Sequence, residues 1–385
     1  MTEKPINLSE NGYYMPAEFS EHQSTWMLWP ERTDIWRLGG KPAQRVFAEI
    51  ANTLAEYEDV VVGVNQAQYE NARNRLSEKI RVIEISYDDI WIRDTGATIL
   101  VNKNNGSLCG VDWFFDAWGG IGQVAMSGEW NLKGSYFPWK LDDLVARKML
   151  EVEGIKRYRC PIILEGGAIH VDGEGTLLAI KECIHGRNPN YTLPQIEEIL
   201  SNYLGVNNFI WLERGLYLEE NNGHIDNMCC FIDTQTILLN WCDDTSDPQH
   251  EISVEALGIL SKAKNAKGEH FNIVKIPQPP VLYITDEENS GVDASEYAMS
   301  RLPNDRLPTS YLNSYICNGA ILIPSFASQF DDRPAEYDIA ALKVYQNVCK
   351  GRKVIQIPSR ELLLGGGGIH CVLQQIPKSK QSRNH

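Results

Sequence analysis

The run Gly365–Gly368 leads through Ile369 and His370 to Cys371. Glycines permit unusual backbone angles and close approach by other groups, so this pattern suits presentation of His370 and Cys371 at a crowded centre. The run lacks the Gly-Lys-Ser/Thr of a phosphate loop, and Ile-His-Cys-Val-Leu reads on as strand instead of opening a helix. Nucleotide binding is therefore disfavoured. By itself such a cysteine is more often a buried small hydrophobe than a nucleophile. Its company changes the reading: His170-Val171-Asp172 and His224-Ile225-Asp226 are both His-x-Asp triplets. In a strand each histidine shares a face with its aspartate. That arrangement suits a proton shuttle with a cation clamp, a satisfied polar pair, or metal ligation. In Trp91-Ile92-Arg93-Asp94, a strand would put Trp91 and Arg93 on one face and Asp94 on the other, the plain alternative being an Arg–Asp surface pair. Glu165 precedes Gly166-Gly167, a carboxylate leading into a tight turn.

Helical periodicity marks the elements that must position these residues. Apolar spacing of three to four predicts helices over Lys41–Tyr57, Trp139–Val152, Thr192–Leu204, His250–Asn265 and Pro334–Lys350, with a shorter one over Gln66–Leu76. A β-rich run follows each: Asp59–Val64 and Arg81–Ile85, then Pro161–Leu164, Asn208–Leu212, Phe271–Ile276 and Lys353–Ile357. After these come the five chemical segments, starting at Trp91, Glu165, Asn221, Ser310 and Gly365. GGAIH from Gly166 echoes GGGIH from Gly366. Five helices, five strand regions and five special segments suggest a repeated unit closed in a ring, each unit bringing one segment to a common axis. The alternative is an ordinary α+β domain with coincidental spacing. Pro279–Pro308, rich in Pro, Asn, Asp and Ser, reads as a rim or lid.

Composition excludes several classes. The chain has 385 residues, 43% apolar and 23% charged, which is ordinary for a folded protein. With 36 basic and 51 acidic side chains the net charge is -15, a field that repels nucleic acid and anionic membranes and suits a small cation. Nine cysteines without a CxxC pair make a disulfide framework or structural zinc unlike this chain. No leader-like start and no run of apolar residues long enough to cross a bilayer is present, so the expected location is cytoplasmic.

Taken together and in order, WIRDTG, EGG-x-IHVDGEGT, NNGHIDN, SYLN and LGGG-x-IHC-x-x-QQIP resemble agmatine deiminase, of the guanidino-group-modifying superfamily. MPAEF and TWMLWPER near the start agree, and the resemblance runs from Tyr13 to Pro377. It implies a pentein-type α/β fold: a five-unit pseudo-symmetric propeller with strands around a central axis and helices outside. One domain would span 1–385, with roughly 12 N-terminal and 8 C-terminal residues flexible. It implies Cys371 as nucleophile, His224 as acid/base, Asp94 and Asp226 as guanidinium-holding carboxylates, and Glu165 as the carboxylate orienting the histidine. Trp91 and Gly366 would line the substrate pocket. His170, Asp172, Cys229 and Cys230 receive no role.

The implied reaction converts agmatine to N-carbamoylputrescine and ammonia through a covalent Cys371 thiouronium. It needs no metal, nucleotide or flavin, and the family resemblance implies a homo-oligomer. Carboxylates for the distal amine would lie near Asp243–Asp247 or in Pro279–Pro308. Rival readings are a deiminase of arginine or peptidyl-arginine, an inactive polyamine-binding paralogue, and a metallohydrolase using His224, Asp226, His370 and Cys371. The chain departs from the family pattern at Ala97, Ala168 and Gly368, where Pro, Gly and Asn are usual.

Overall fold

Parallel neighbours in a sheet need a crossover of a dozen or more residues, usually through a helix. The computed structural model, which describes residues 6–120, 134–328 and 331–379, contains that unit in five sheets. The strands of the first are β1 (Tyr13–Tyr14), β5 (Thr98–Asn102), β6 (Leu108–Phe114) and β7 (Lys156–Ile163). The second holds β8 (Ile169–Val171), β9 (Thr176–Ile180) and β10 (Asn208–Leu212). The third holds β11 (Cys229–Phe231), β12 (Thr236–Trp241) and β13 (Asn272–Pro277), and the fourth β14 (Tyr315–Cys317), β15 (Ala320–Ser325) and β16 (Lys353–Pro358). The last draws on both ends of the chain: β17 (Gln374–Pro377) pairs with β2 (His22–Leu28), then β3 (Asp59–Val64) and β4 (Arg81–Glu84).

The pairing repeats. In β5–β6–β7, β8–β9–β10, β11–β12–β13, β14–β15–β16 and β17–β2–β3 the first pair is antiparallel and the second parallel. Strand β9 is buried along its whole length, as a two-sided covered strand of Thr, Leu and Ile should be. The crossover helix Lys41–Leu54 turns Val46, Phe47, Ile50, Ala51 and Leu54 inward, the three-to-four spacing of an apolar stripe. Helix Leu193–Leu204 begins on a Thr192/Gln195 capping box and ends on left-handed Gly205. The architecture is mixed α/β, as expected.

Observed helices follow the predicted ones with shifted ends. The second begins only at Val145 and runs to Glu153, because Asp142 and Asp143 turn their carboxylates to the backbone N–H groups of Asp88, Asp89 and Phe115. The fourth, Gln249–Leu260, stops early, and Asn265 instead accepts from Lys267 and Glu269 N–H in a turn. Periodicity also missed Lys181–Arg187 and Arg360–Gly365. Of the termini expected to be flexible, residues 1–5 and 380–385 lie outside the described residues. Leu8 is buried, and its N–H donates to Asn202 O at 2.8 Å.

Three chemical segments are turns where strands were expected. Ile92–Thr95 is one helical turn, and 3-10 turns cover Ile225–Asn227 and His370–Val372. Side chains take the backbone donors that a sheet ladder would have taken. Glu219 accepts from His224 N–H at 3.1 Å and Asn313 from His370 N–H at 2.8 Å, while Asp94 accepts from Gly167 N–H at 3.0 Å. Arg93 and Asp94 are not a surface pair; both are buried. Each of the five chemical segments leads into a strand, namely β5, β8, β11, β14 or β17.

Candidate active site

The turns Ile92–Thr95 and Ile225–Asn227 meet at Gly167. A β-carbon on that glycine would stand 2.6 Å from His224 Nδ1, 2.9 Å from Asp94 Oδ1 and 3.2 Å from Asp226 Oδ2. Only glycine leaves the chamber between these groups open. The Cys371 sulfur lies 3.8 Å from Asp226 Oδ2 and 3.2 Å from Asn313 Nδ2. Trp91 packs over Gly367, where a β-carbon would be 2.4 Å from its ring and 3.2 Å from the Cys371 sulfur. Gly366, at φ +107, lies under the Arg301–Glu220 ion pair, away from the chamber. Cys371, His224, Asp94, Asp226, Glu165 and Trp91 are thus brought to one enclosed place. The rim stretch Pro279–Pro308 reaches Gly366, next to this place in sequence, through Arg301.

Each charged group has fixed partners. Asp94 accepts from Gly167 N–H through Oδ1 and from Trp118 Nε1 through Oδ2 at 3.0 Å, and that oxygen is 3.9 Å from His224 Nδ1. Glu165 Oε1 accepts from Arg187 Nε at 2.8 Å, while Oε2 lies 3.7 Å from His224 Nε2. Asp226 Oδ2 faces His370 Nδ1 at 2.8 Å; its Oδ1 has no hydrogen-bond partner among the described residues. Trp91 donates its indole N–H to Asp89 at 2.7 Å, and Trp36 donates to the other oxygen of the same carboxylate.

Electrostatics follow from burial and these neighbours. Burial alone would lower the basicity of His224, but Asp94, Glu165 and Asp226 outweigh it and raise its pKa to about 10, so the ring is an imidazolium. Burial would raise Glu165, yet Arg187 and then His224 bring it down to about 2. Burial, reinforced by the charges of Asp226 and Asp94, pushes the Cys371 thiol well above its ordinary value. Burial also raises Asp94. The resting chamber therefore holds a protonated thiol beside two carboxyl groups: an arriving planar cation would pair with them and favour the thiolate.

Sequence reasoning missed Glu18, Trp118, Arg187, Glu219 and Asn313. Two had a signal, since Glu18 stands in MPAEF and Asn313 ends SYLN. Trp118 follows Asp116-Ala117 ahead of two glycines at φ 61. Arg187 closes an amphipathic helix, where nothing in the spacing marks it. Of the carboxylates in the two stretches expected to meet the distal amine, Asp247 pairs with Arg306 and Glu288 with Arg360.

A buried thiol beside an imidazolium and two carboxylates is the equipment of a cysteine-dependent enzyme acting on planar cations. The model of the Porphyromonas-type peptidyl-arginine deiminase family matches residues 14–377, and the chain belongs to that family. It is 47% identical to the agmatine deiminase of Pseudomonas aeruginosa, over 97% of each chain. It is 46% identical to that of Ectopseudomonas mendocina, covering 95% of this chain and 96% of the relative. Among solved structures, the agmatine deiminase of Enterococcus faecalis superposes with a TM-score of 0.88 at 36% identity, covering 97% of this chain and 98% of that one.

Proposed function

We propose that this chain is a hydrolase of C–N bonds in linear amidines that converts agmatine to N-carbamoylputrescine and ammonia. The observation that carries the reading is the chamber at Gly167, where Asp94, Asp226 and His224 converge next to the Cys371 sulfur. Full-length similarity to agmatine deiminases supports the substrate.

In this reading the guanidinium lies between Asp94 and Asp226 in charge-assisted hydrogen bonds, which fix its orientation and keep its carbon electron-poor. As the cation enters, the thiol gives its proton to solvent and the thiolate attacks that carbon, giving a neutral tetrahedral adduct. His224 gives its proton to the departing nitrogen, ammonia leaves, and an S-alkylthiouronium remains on Cys371. Neutral His224 then takes a proton from water, whose hydroxide adds to the same carbon. Collapse expels the thiolate and yields the protonated ureido product, whose extra proton restores the Cys371 thiol. Glu165, held by Arg187, keeps the imidazole aligned and favours its protonated form. Trp91 walls the pocket, and Gly366 lines its approach beside Glu220.

The five sheets would stand as a pseudo-symmetric propeller within one domain spanning 1–385, in a cytoplasmic homo-oligomer. Among the described residues no helix is long and apolar enough to cross a membrane. A metallohydrolase is disfavoured by the donor set. Glu219, His224 and Asp226, and likewise Glu165, Cys183 and His224, offer atoms within 4.8 Å of one another, but neither set includes Cys371, and both His370 nitrogens face carboxylates. A peptide substrate is disfavoured by enclosure, since Cys371 is 1% exposed.

Ammonia and ureido release should be measured with agmatine, arginine and an arginine peptide in parallel. The expected order puts agmatine first by at least about a hundredfold in kcat/KM, since a site built for one charge pattern rejects the others. Faster turnover of arginine or peptide would overturn the assignment. Tight agmatine binding without product, unaltered by Cys371→Ala, would point to a binding paralogue.

A further inference from the structure

Next to the nucleophile runs a row of buried charges that the deimination steps leave unused. His370 Nδ1 faces Asp226 Oδ2 at 2.8 Å, and Nε2 faces Glu18 Oε2 at 2.7 Å. An ionised carboxylate only accepts, so both ring nitrogens carry protons and the ring is a cation. Glu18 is held in turn. Its Oε1 accepts from Ile316 N–H at 2.9 Å, and Arg93 Nη2 lies 3.5 Å from Oε2.

The groups around His370 come from every element packed on it. Asp226 comes from the turn Ile225–Asn227, and Glu18 from the segment before β2. Arg93, from the turn Ile92–Thr95, points Nε at His370 O at 3.4 Å. His170, on β8, has its ring centroid 6.4 Å away, and Cys371 is the next residue. Burial and Arg93 oppose a charge on the ring, but Glu18 and Asp226 prevail, and its pKa is raised. Burial likewise opposes charge on Glu18, yet His370, Arg93 and His170 hold it well below the usual carboxylate range.

Asp226 Oδ2 therefore serves His370 and, at 3.8 Å, the Cys371 sulfur, which leaves Oδ1 without a partner. We infer that His370, kept cationic by Glu18, is a positioning residue: it pins Asp226 through Oδ2 and leaves Oδ1 for the substrate cation, and its charge offsets that of Asp226 beside the Cys371 sulfur. This rests on the deiminase reading. It adds that the nucleophile is tuned through Asp226 by a cation on the far side from His224.

The two amides that mimic the ring separate its roles. An asparagine amide nitrogen lies as many bonds from Cα as Nδ1, and a glutamine amide nitrogen as many as Nε2. His370→Asn keeps the donor to Asp226 and removes the charge. It should lower kcat about tenfold and move the acid limb of kcat roughly one unit toward alkaline pH, with KM for agmatine within about twofold. His370→Gln points its donor toward Glu18 and frees Asp226, so KM should rise several-fold as well. Glu18→Gln should move the acid limb in the same direction as His370→Asn. Wild-type kcat and pH profile in both His370 variants, or a lower kcat with the acid limb unmoved, would overturn the inference.

A second measurement does not depend on those variants folding or on any substrate. Nitrogen-15 resonances of the histidine rings, recorded in Cys371→Ser protein, should show His370 protonated on both nitrogens from pH 6 to 8. A neutral His370 ring at pH 7 would equally overturn it. Wild-type protein that keeps this cationic ring but fails to turn over agmatine would instead sink the deiminase reading.

Discussion

Two stretches of this chain carry almost the same letters, GGAIH at Gly166–His170 and GGGIH at Gly366–His370. Both lead into an antiparallel pairing, β8 with β9 and β17 with β2, and both bury their histidine, yet the two rings hold opposite charge states. His170 Nδ1 accepts from Phe231 N–H at 3.4 Å, so that nitrogen carries no proton, and burial lowers the ring to about 4. His370 lies between two carboxylates and is raised. The backbones diverge as well: Ile169–Val171 is strand, whereas His370–Val372 is a 3-10 turn that delays the strand to Gln374. A repeated motif marks equivalent places in a repeated unit. The partners supplied by other units decide what chemistry each place performs.

The sharpest test of that contrast compares the residues after each histidine. Cys371→Ser should lower kcat by about ten-thousandfold, the loss expected when a covalent nucleophile is removed. Val171→Ala should cost on the order of 1 kcal/mol of stability and leave kcat within about twofold. Comparable kinetic losses at both positions would erase the distinction.

The glycines before the histidines come next. Gly167→Ala would put a methyl 2.6 Å from His224 Nδ1 and 2.9 Å from Asp94 Oδ1. Displacing such groups by a fraction of an ångström to an ångström should lower kcat/KM about a hundredfold. Ala168 already carries a β-carbon one residue on, so Ala168→Gly should change kcat/KM by no more than about threefold. Steady-state kinetics of the two proteins decides this.

The histidines themselves should show in stability against pH. The folded-state pKa of His170 is depressed from 6.5 to about 4. Its contribution is present above the unfolded value and lost as pH falls from 6.5 through 4, in total on the order of 3 kcal/mol. His370 is raised, so its contribution is present below the unfolded value and lost as pH rises through the raised one. Denaturant midpoints of His170→Gln should therefore flatten between pH 6.5 and 4 relative to wild type, whereas those of His370→Asn should flatten on the alkaline side. Flattening on the same side in both variants would contradict the assignment of charges.

How far the sequence was legible follows from the same contrast. Crossover helices were readable because burial on one face leaves a period, as in Val46, Phe47 and Ile50, and parallel strands because burial on both faces leaves a short apolar run, as in Asp59–Val64. The residues of the chamber were readable by type and by family likeness. Their local geometry was not, because His224–Asp226 and Trp91–Asp94 are turns whose N–H groups bond to side chains distant in sequence, and no periodicity encodes that. Glu18 and Arg187 were missed for the same reason. Each acts through a contact made only once separate units have packed, Glu18 on His370 and Arg187 on Glu165.

The central claim is that the Cys371 sulfur bonds to a carbon held between Asp94 and Asp226. Acid quench during agmatine turnover, followed by intact mass and peptide mapping, tests it directly. The account predicts a transient species heavier than the free protein by agmatine less ammonia, localised to the peptide bearing Cys371 and missing in Cys371→Ser. Steady ureido release with no such adduct, or with the adduct on another side chain, would contradict it.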